Sequence, residues 1–262
     1  MDALVALDDV SLTYGGAADG TLALDGTSLR IGGGELVAVV GPSGCGKSSL
    51  MKLVTGLVRP QKGAVTVAGR EVTGPVKIAG MAFQNPSLLP WRTTRDNILL
   101  PLEIVQPHSS RFRAHRAEYI AKVEALLATV GLAGCGDRFP WQLSGGMQQR
   151  ASLCRALIHE PELLMLDEPF AALDAFTRED LWCVLRDLWE ARRFTVILVT
   201  HDLHEAVFLA DTIHVMSARP GRIVATRQVD FPRPRDLSIC YEPAFVERVQ
   251  ELRQYIAGVR LA

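Results

Sequence analysis

The sequence predicts an α/β fold built on a parallel sheet, and three short segments predict it. Residues 36–40, 163–166 and 195–199 are nearly unbroken apolar runs of strand length, the pattern of strands covered by helices on both faces. Each stops abruptly: the first at Gly41-Pro42-Ser43-Gly44-Cys45-Gly46-Lys47-Ser48, the second at Asp167-Glu168, the third at Thr200-His201-Asp202. Ligands of open parallel sheets bind beyond the carboxyl ends of the strands, so these three termini can converge on one site.

Composition narrows the field before any motif is used. At 262 residues and 48% hydrophobic content, the chain can bury a substantial core, and its length suits one large domain or one domain carrying an inserted lobe. Its 28 basic and 29 acidic residues give a net charge of -1, which provides no electrostatic footprint for nucleic acid. No apolar run approaches the roughly 20 residues that cross a bilayer. The start, with Asp2, Asp8 and Asp9, lacks the basic region of a secretory signal, so a cytosolic location is expected. The five cysteines, Cys45, Cys135, Cys154, Cys183 and Cys240, include no CxxC pair and are expected as free thiols rather than a disulfide framework or a zinc site.

The first terminus fits GxxxxGK[ST], in which glycines let backbone N–H groups wrap phosphates. Ser49 follows, and Leu50, Leu53 and Val54 continue the segment as an amphipathic helix that Gly56 can end. A helix N-terminus adds partial positive charge, Lys47 can reach the β and γ phosphates, and the Ser48 hydroxyl can ligate magnesium. The alternative, a flexible glycine-rich turn with a surface lysine, fits poorly with a strand before and a helix after. Cys45, inside this loop and two residues before Lys47, is expected to be reactive, because the lysine charge and the helix dipole both favour a thiolate.

At the second terminus, neighbouring strand residues face opposite ways, so Asp167 and Glu168 have different tasks if the strand stays regular. One serves a metal and the other a water, or both are solvated strand-end carboxylates. At the third, His201 closes a buried strand, and Asp202 with Glu205 forms an Asp-x-x-Glu variant of the capping box. A lone histidine is more often structural; its place after the third strand favours a site.

Between the first two termini lies Leu143-Ser144-Gly145-Gly146-Met147-Gln148-Gln149-Arg150, leading into a helix with Ala151, Cys154, Leu157 and Ile158 inward. Ser144 before two glycines makes a capped helix start with exposed N–H donors. Alone it reads as an ordinary cap. In this order and spacing, however, the whole set resembles the ABC ATPase family: Walker A at 41–48, Gln84 in a Q-loop, LSGG at 143–146, Walker B ending in Asp167, then Glu168, Asp174 and His201. The resemblance covers nearly the entire chain.

The resemblance implies a P-loop, RecA-like core with an antiparallel β lobe near the N-terminus and an inserted helical lobe, about 86–155, inside a single domain spanning 1–262 with a short extension over about 219–262. It implies ATP and Mg²⁺ as cofactors. Asp167 would hold magnesium with Ser48, Glu168 would be the general base, His201 would contact the γ-phosphate, and Gln84 would sense magnesium and the membrane partner. Tyr14 resembles the aromatic residue that stacks on adenine; its spacing from Val10 and Leu12 also suits a core tyrosine, the lesser alternative. Asp174 resembles the D-loop residue that communicates across a dimer. The family also implies a head-to-tail homodimer with ATP between one subunit's P-loop and residues Ser144, Gly145 and Gly146 of the other. Two departures are visible: Met147 stands where glutamine is commoner, and Ala171 where serine or glycine is frequent. Neither removes a phosphate donor or a proposed catalytic group. In the helical lobe, Ile120, Val123, Leu127 and Val130 predict a helix around 115–130, with Gly131 at its end.

Residues 83–91, 93–103, 216–223 and 233–236 resemble the importer branch that handles nitrate, sulfonates, taurine or bicarbonate. Leu88, Leu89 and Trp91 fit either the core of the helical lobe or a contact with membrane permease subunits, which would receive solute from a solute-binding protein. The expected location is therefore peripheral, on the cytoplasmic face of the membrane. An exporter subunit shares every ATPase motif and differs only in these branch segments. A soluble ABC protein acting in translation or DNA repair usually has two cassettes or a long coiled-coil insertion, neither of which is present. The last stretch reads as strands plus a terminal helix near 245–256.

Overall fold

The computed structural model describes residues 3–15 and 20–261; Asp2, noted above at the chain start, lies outside them. The chain forms two compact units, Met1–Val76 with Arg193–Ala262, and Lys77–Arg192. In the first unit, strands β1 (Ala3–Tyr14), β2 (Thr21–Gly32), β4 (Lys62–Val67) and β5 (Arg70–Glu71) form an antiparallel sheet in the order β2-β1-β4-β5, while β3 (Leu36–Val40) and helix α1 (Lys47–Val54) intervene in sequence. The antiparallel lobe expected near the N-terminus is thus present. Along β2 the buried residues Leu29 and Ile31 alternate with exposed ones, as a sheet with one covered face requires.

The second unit holds β6 (Ala79–Phe83), α2 (Thr94–Ile104), α3 (His108–Arg111), α4 (Arg116–Thr129), α5 (Gly145–Leu157), β7 (Leu163–Asp167) and α6 (Ala175–Arg192). β6 and β7 pair in parallel. The helices share one core in which Ile98 and Leu102 of α2 meet Val123 and Leu127 of α4 and Ala151 and Cys154 of α5. The helix expected around 115–130 is α4, and Gly131, at φ 71°, follows it in the left-handed conformation common after helix ends.

The first unit resumes with β8 (Thr195–Thr200), α7 (Leu203–Leu209), β9 (Thr212–Met216), β10 (Ile223–Gln228) and α8 (Pro243–Leu261). Here β3 lies between β9 and β8, parallel to both, with β10 antiparallel beyond β9. Every residue of β3 and β8 is buried, which accounts for the unbroken apolar runs. All five cysteines are free thiols. No helix among the described residues is long and apolar enough to cross a membrane.

The Arg233-Pro234-Arg235-Asp236 segment closes the end of α7. The last carbonyls of a helix have no partner within it, and a cation there is favoured by the helix dipole. Arg235, 1% exposed, donates from Nη1 to the carbonyls of Val207, Phe208 and Ala210 at 3.0, 3.0 and 2.8 Å, and from Nη2 to Val229 at 3.1 Å. Arg233 donates to the Leu209 carbonyl at 2.6 Å and to Asp211 at 2.9 Å. The helix so held begins directly after His201 and Asp202. Replacing Arg235 by alanine strips several buried carbonyls of their donor and is expected to cost about 3 kcal/mol. Urea titration of the purified protein checks this: Arg235→Lys should recover only part of the loss, because an ammonium cannot span the same acceptors, and an unchanged midpoint for Arg235→Ala would contradict the assignment.

Candidate functional site

In the first unit, Val40 lies opposite Thr200 in the parallel β3–β8 register, so Gly41 and His201 leave the sheet at one level. The chain then turns through Gly46, whose φ of 104° and lack of a side-chain cap begin α1 with no acidic residue in its first turn. A Cβ on Gly46 would lie 2.8 Å from the Ala23 carbonyl and from Leu24, so only glycine fits here. The first-turn N–H groups have no side-chain cap, the arrangement that favours an anion. Lys47 is 6% exposed, and its ammonium donates to the Gly41 and Pro42 carbonyls, both at 2.9 Å. These acceptors offset the cost of burying the charge. Ser43, Gly44 and Ser48 are exposed, while Ser49 is half-buried.

Cys45 departs from expectation. Its side chain is 1% exposed, and burial pushes its pKa up, against the smaller lowering influence of the Lys47 charge. The thiol is therefore held protonated at neutral pH, because desolvation outweighs the charge and dipole that were expected to produce a thiolate. Tyr14 resolves differently. One step along β1, from Leu12 to Thr13, matches two along β2, from Leu24 to Leu22, and beyond this irregularity the strand is no longer covered: Val10 and Leu12 are buried while Tyr14 is 38% exposed. The Lys52 ammonium of α1 sits 5.7 Å from the tyrosine ring centre. The ring stands beside α1 rather than in the core.

A cavity of about 890 Å³ opens beside the loop, lined by Gly41, Ser43, His201, Asp202, His204 and one flank of α8. Asp202 caps α7, accepting from the N–H groups of His204 and Glu205 at 2.9 and 3.3 Å. The expected reciprocal box does not form: the Asp202 N–H donates to Thr200 Oγ1 at 2.9 Å, and that hydroxyl donates to the Glu205 carboxylate at 3.2 Å. The threonine hydroxyl thus receives the bond that the box assigns to Glu205.

In the second unit, Phe83 lies opposite Asp167 in the β6–β7 register, so Gln84 and Glu168 leave paired strands side by side. Glu168 has φ 46°, in the left-handed region that non-glycine residues seldom occupy. Strand alternation consequently stops at Asp167 and does not govern where Glu168 points. Gln84 is exposed, and both acids are half-buried. Gln149 of α5, 5% exposed, donates to the Phe83 carbonyl at 3.0 Å, and Arg155 donates to the Pro86 and Ser87 carbonyls at 2.6 and 2.9 Å. The segment around Gln84 is thereby fastened to the helix that Ser144 caps through a 3.3 Å bond from the Met147 N–H. Gly145 would place a Cβ in open space, whereas a Cβ on Gly146 would come within 2.9 Å of Thr177. Asp174 accepts from the Thr177 N–H at 3.0 Å, and this bond leads the causes that lower its carboxyl pKa. Leu88 packs on the helical core, while Trp91 is 71% exposed, so that apolar segment is divided between core and surface.

Two residues beside the loop escaped sequence reasoning. Arg219 Nε donates to the Gly44 carbonyl at 3.3 Å, and a Cβ on Gly221 would fall 2.1 Å from the Cys45 carbonyl oxygen. Both lie in the 216–223 stretch read above only as a branch segment; nothing local signals that this stretch abuts a loop so distant in sequence.

Comparison with known proteins places these features in a family. The family profile described as ABC transporter matches residues 24–171. The chain is 44% identical over 222 residues to the aliphatic sulfonates import ATP-binding protein SsuB of Bacillus licheniformis, covering 85% of this chain and 83% of that protein. It is 39% identical over 248 residues to the taurine import ATP-binding protein TauB of Escherichia coli K12, covering 93% and 91%. Among solved structures, the dimeric post-hydrolysis state of the ATP-binding cassette MJ0796 bound to ADP and Pi superposes with a TM-score of 0.74 at 29% identity, covering 87% of this chain and all of that one. With the profile spanning more than half of its length and these relatives matching most of it, the chain belongs to the ABC transporter family.

Proposed function

We propose that this chain is the ATP-hydrolysing subunit of an ABC importer, working as a homodimer on the cytoplasmic face of the membrane beneath integral permease subunits supplied by a solute-binding protein. The observation that carries the reading is the loop from Gly41 to Ser48, with the Lys47 ammonium fixed to its own carbonyls and α1 starting without a side-chain cap. A polyphosphate seated there meets oriented N–H donors and a cation already in place, so little reorganisation accompanies binding. Tyr14 offers the adenine a ring face.

Ser48, Asp167 and Gln84 supply a hydroxyl, a carboxylate and an amide oxygen, a hard oxygen donor set that suits Mg²⁺. The ion would neutralise phosphate charge. Glu168 takes the proton of the attacking water, His201 contacts the γ-phosphate, and Gln84, tied to α5 through the carbonyls that follow it, relays the state of the site to the permease. Ser144, Gly145 and Gly146 present an exposed helix start to the nucleotide of the partner subunit, and Asp174 faces the dimer contact. The helical lobe of about 86–155 and the extension of about 219–262 belong to one cassette. The two importing relatives are named for aliphatic sulfonates and for taurine, itself a sulfonate, which makes small sulfonates the first substrate class to test. Co-purification of the permease and solute-binding protein, followed by a ligand screen of the latter, tests the importer reading.

Glu168→Gln should retain ATP binding and lose about 10²-fold or more in hydrolysis, the usual contribution of a general base. Single-turnover assays with the purified variant measure it, and near-normal turnover would sink the assignment. Gly221→Ala should weaken ATP binding by about tenfold, since its Cβ displaces the Cys45 carbonyl and with it the loop geometry; a nucleotide titration alongside a melting curve separates this from general destabilisation. Cys45 should resist a maleimide at neutral pH in the folded protein, and should label readily once urea unfolds the chain. Peptide mass spectrometry locates the adduct, and rapid native labelling would contradict the buried, protonated thiol.

A further inference from the structure

The cavity beside the Gly41–Ser48 loop shares a wall with a helix far outside the matched family region, which ends at residue 171. Phe245, Val249 and Leu252 of α8 are 0%, 4% and 0% exposed, an i, i+4, i+7 seam that fixes the rotation of the helix about its axis. The Phe245 ring lies 6.1 Å from that of His204 and 5.9 Å from that of Phe231, which anchors the helix start against α7. With the seam set, Arg253, Ile256 and Ala257 share the flank that lines the cavity of about 890 Å³ opposite Gly41, Ser43 and His201.

Arg253 differs from its neighbours in what it binds. Arg227 and Arg248 pair with Glu251, Arg233 pairs with Asp211, and Arg235 is committed to carbonyls of α7 and to that of Val229. Arg253 forms no hydrogen bond or ion pair among the described residues. The carboxylate that lines the same cavity, Asp202, is engaged by the N–H groups at the start of α7. A guanidinium with no partner among the described residues therefore lines the cavity that Gly41 and Ser43 of the loop also line, and a guanidinium is the side chain best matched to phosphate oxygens.

We infer that Arg253 is a further nucleotide-binding residue whose charge favours the terminal phosphate, and so ATP over ADP. The inference rests on the nucleotide reading of the Gly41–Ser48 loop. Because Arg253 is exposed, its contribution is that of a screened surface charge, so Arg253→Gln should weaken ATP binding about two- to fivefold, with a smaller change for ADP. The difference should shrink as salt is raised, and Arg253→Lys should restore most of it. In steady-state assays the KM for ATP should rise while kcat changes little, as expected for an interaction made equally in ground and transition states.

The test is equilibrium titration of the full-length protein and its variants with Mg-ATP and Mg-ADP at low and high salt, with Lys47→Ala measured in parallel. ATP affinity unchanged in Arg253→Gln, or ATP and ADP weakened equally, would overturn the inference. If Lys47→Ala loses ATP while Arg253→Gln does not, only the role of Arg253 fails. If the unmodified protein has no ATP affinity, or Lys47→Ala keeps it, the nucleotide reading fails and this inference with it.

Discussion

The turn that leaves β3 has almost no side chains with which to satisfy its own backbone, and much of the first unit is arranged around that deficit. Its carbonyls at Gly41 and Pro42 are met by Lys47, and the one at Gly44 by Arg219. Gly46 admits β2 on one side, and Gly221 comes close to the Cys45 carbonyl on another. Each neighbour approaches where a side chain would block it. The result is a loop whose shape is held by distant parts of the chain while its helix-start N–H groups stay without a side-chain cap. Rigidity and an open anion site are compatible here because the restraints act on carbonyls and the site uses amides.

The second unit solves a related problem with side chains. Gln149 and Arg155 project from α5 onto the carbonyls of Phe83, the last residue of β6, and of Pro86 and Ser87 beyond it. The same helix begins at Ser144. A single element thus holds both the exit from β6 and, at its own start, the exposed Gly145 and half-buried Gly146. Glu168 sits beside that exit in a backbone conformation that costs of the order of 1 kcal/mol or more, and the position is set by the turn rather than by the strand.

Much of this was legible in the sequence, and the boundary of legibility has physical causes. The buried strands, the start of α1, the Ser144 cap and α4 follow from short-range periodicity and capping chemistry, which act within a few residues. Tyr14 was ambiguous because alternation along β1 does not show where the covering of that strand ends. Cys45 was misjudged because dipole and charge are visible in sequence whereas desolvation is not: its burial depends on packing about Gly41 and Met216, far apart in the chain. Glu205 was assigned half of a capping box that Thr200 instead completes, a competition between two local acceptors that spacing alone does not decide. The contacts of Arg219, Gly221 and Arg235 were hidden by sequence separation, although the residues themselves stood out.

The order of the segments also has a consequence for biosynthesis. β3 lies between β8 and β9, so the strand that feeds the phosphate loop leaves the ribosome long before either of its neighbours has been made. Until residues 195–221 emerge, the nascent chain has the loop's sequence but neither the strands that bury β3 nor the turn that braces the loop. Completion of the first unit is therefore a late event in synthesis, and the second unit, contiguous from 77 to 192, can collapse first as a unit of local contacts. The chain exposes its most apolar strand during the interval in which it is least able to cover it, which makes that interval the point of greatest exposure to aggregation.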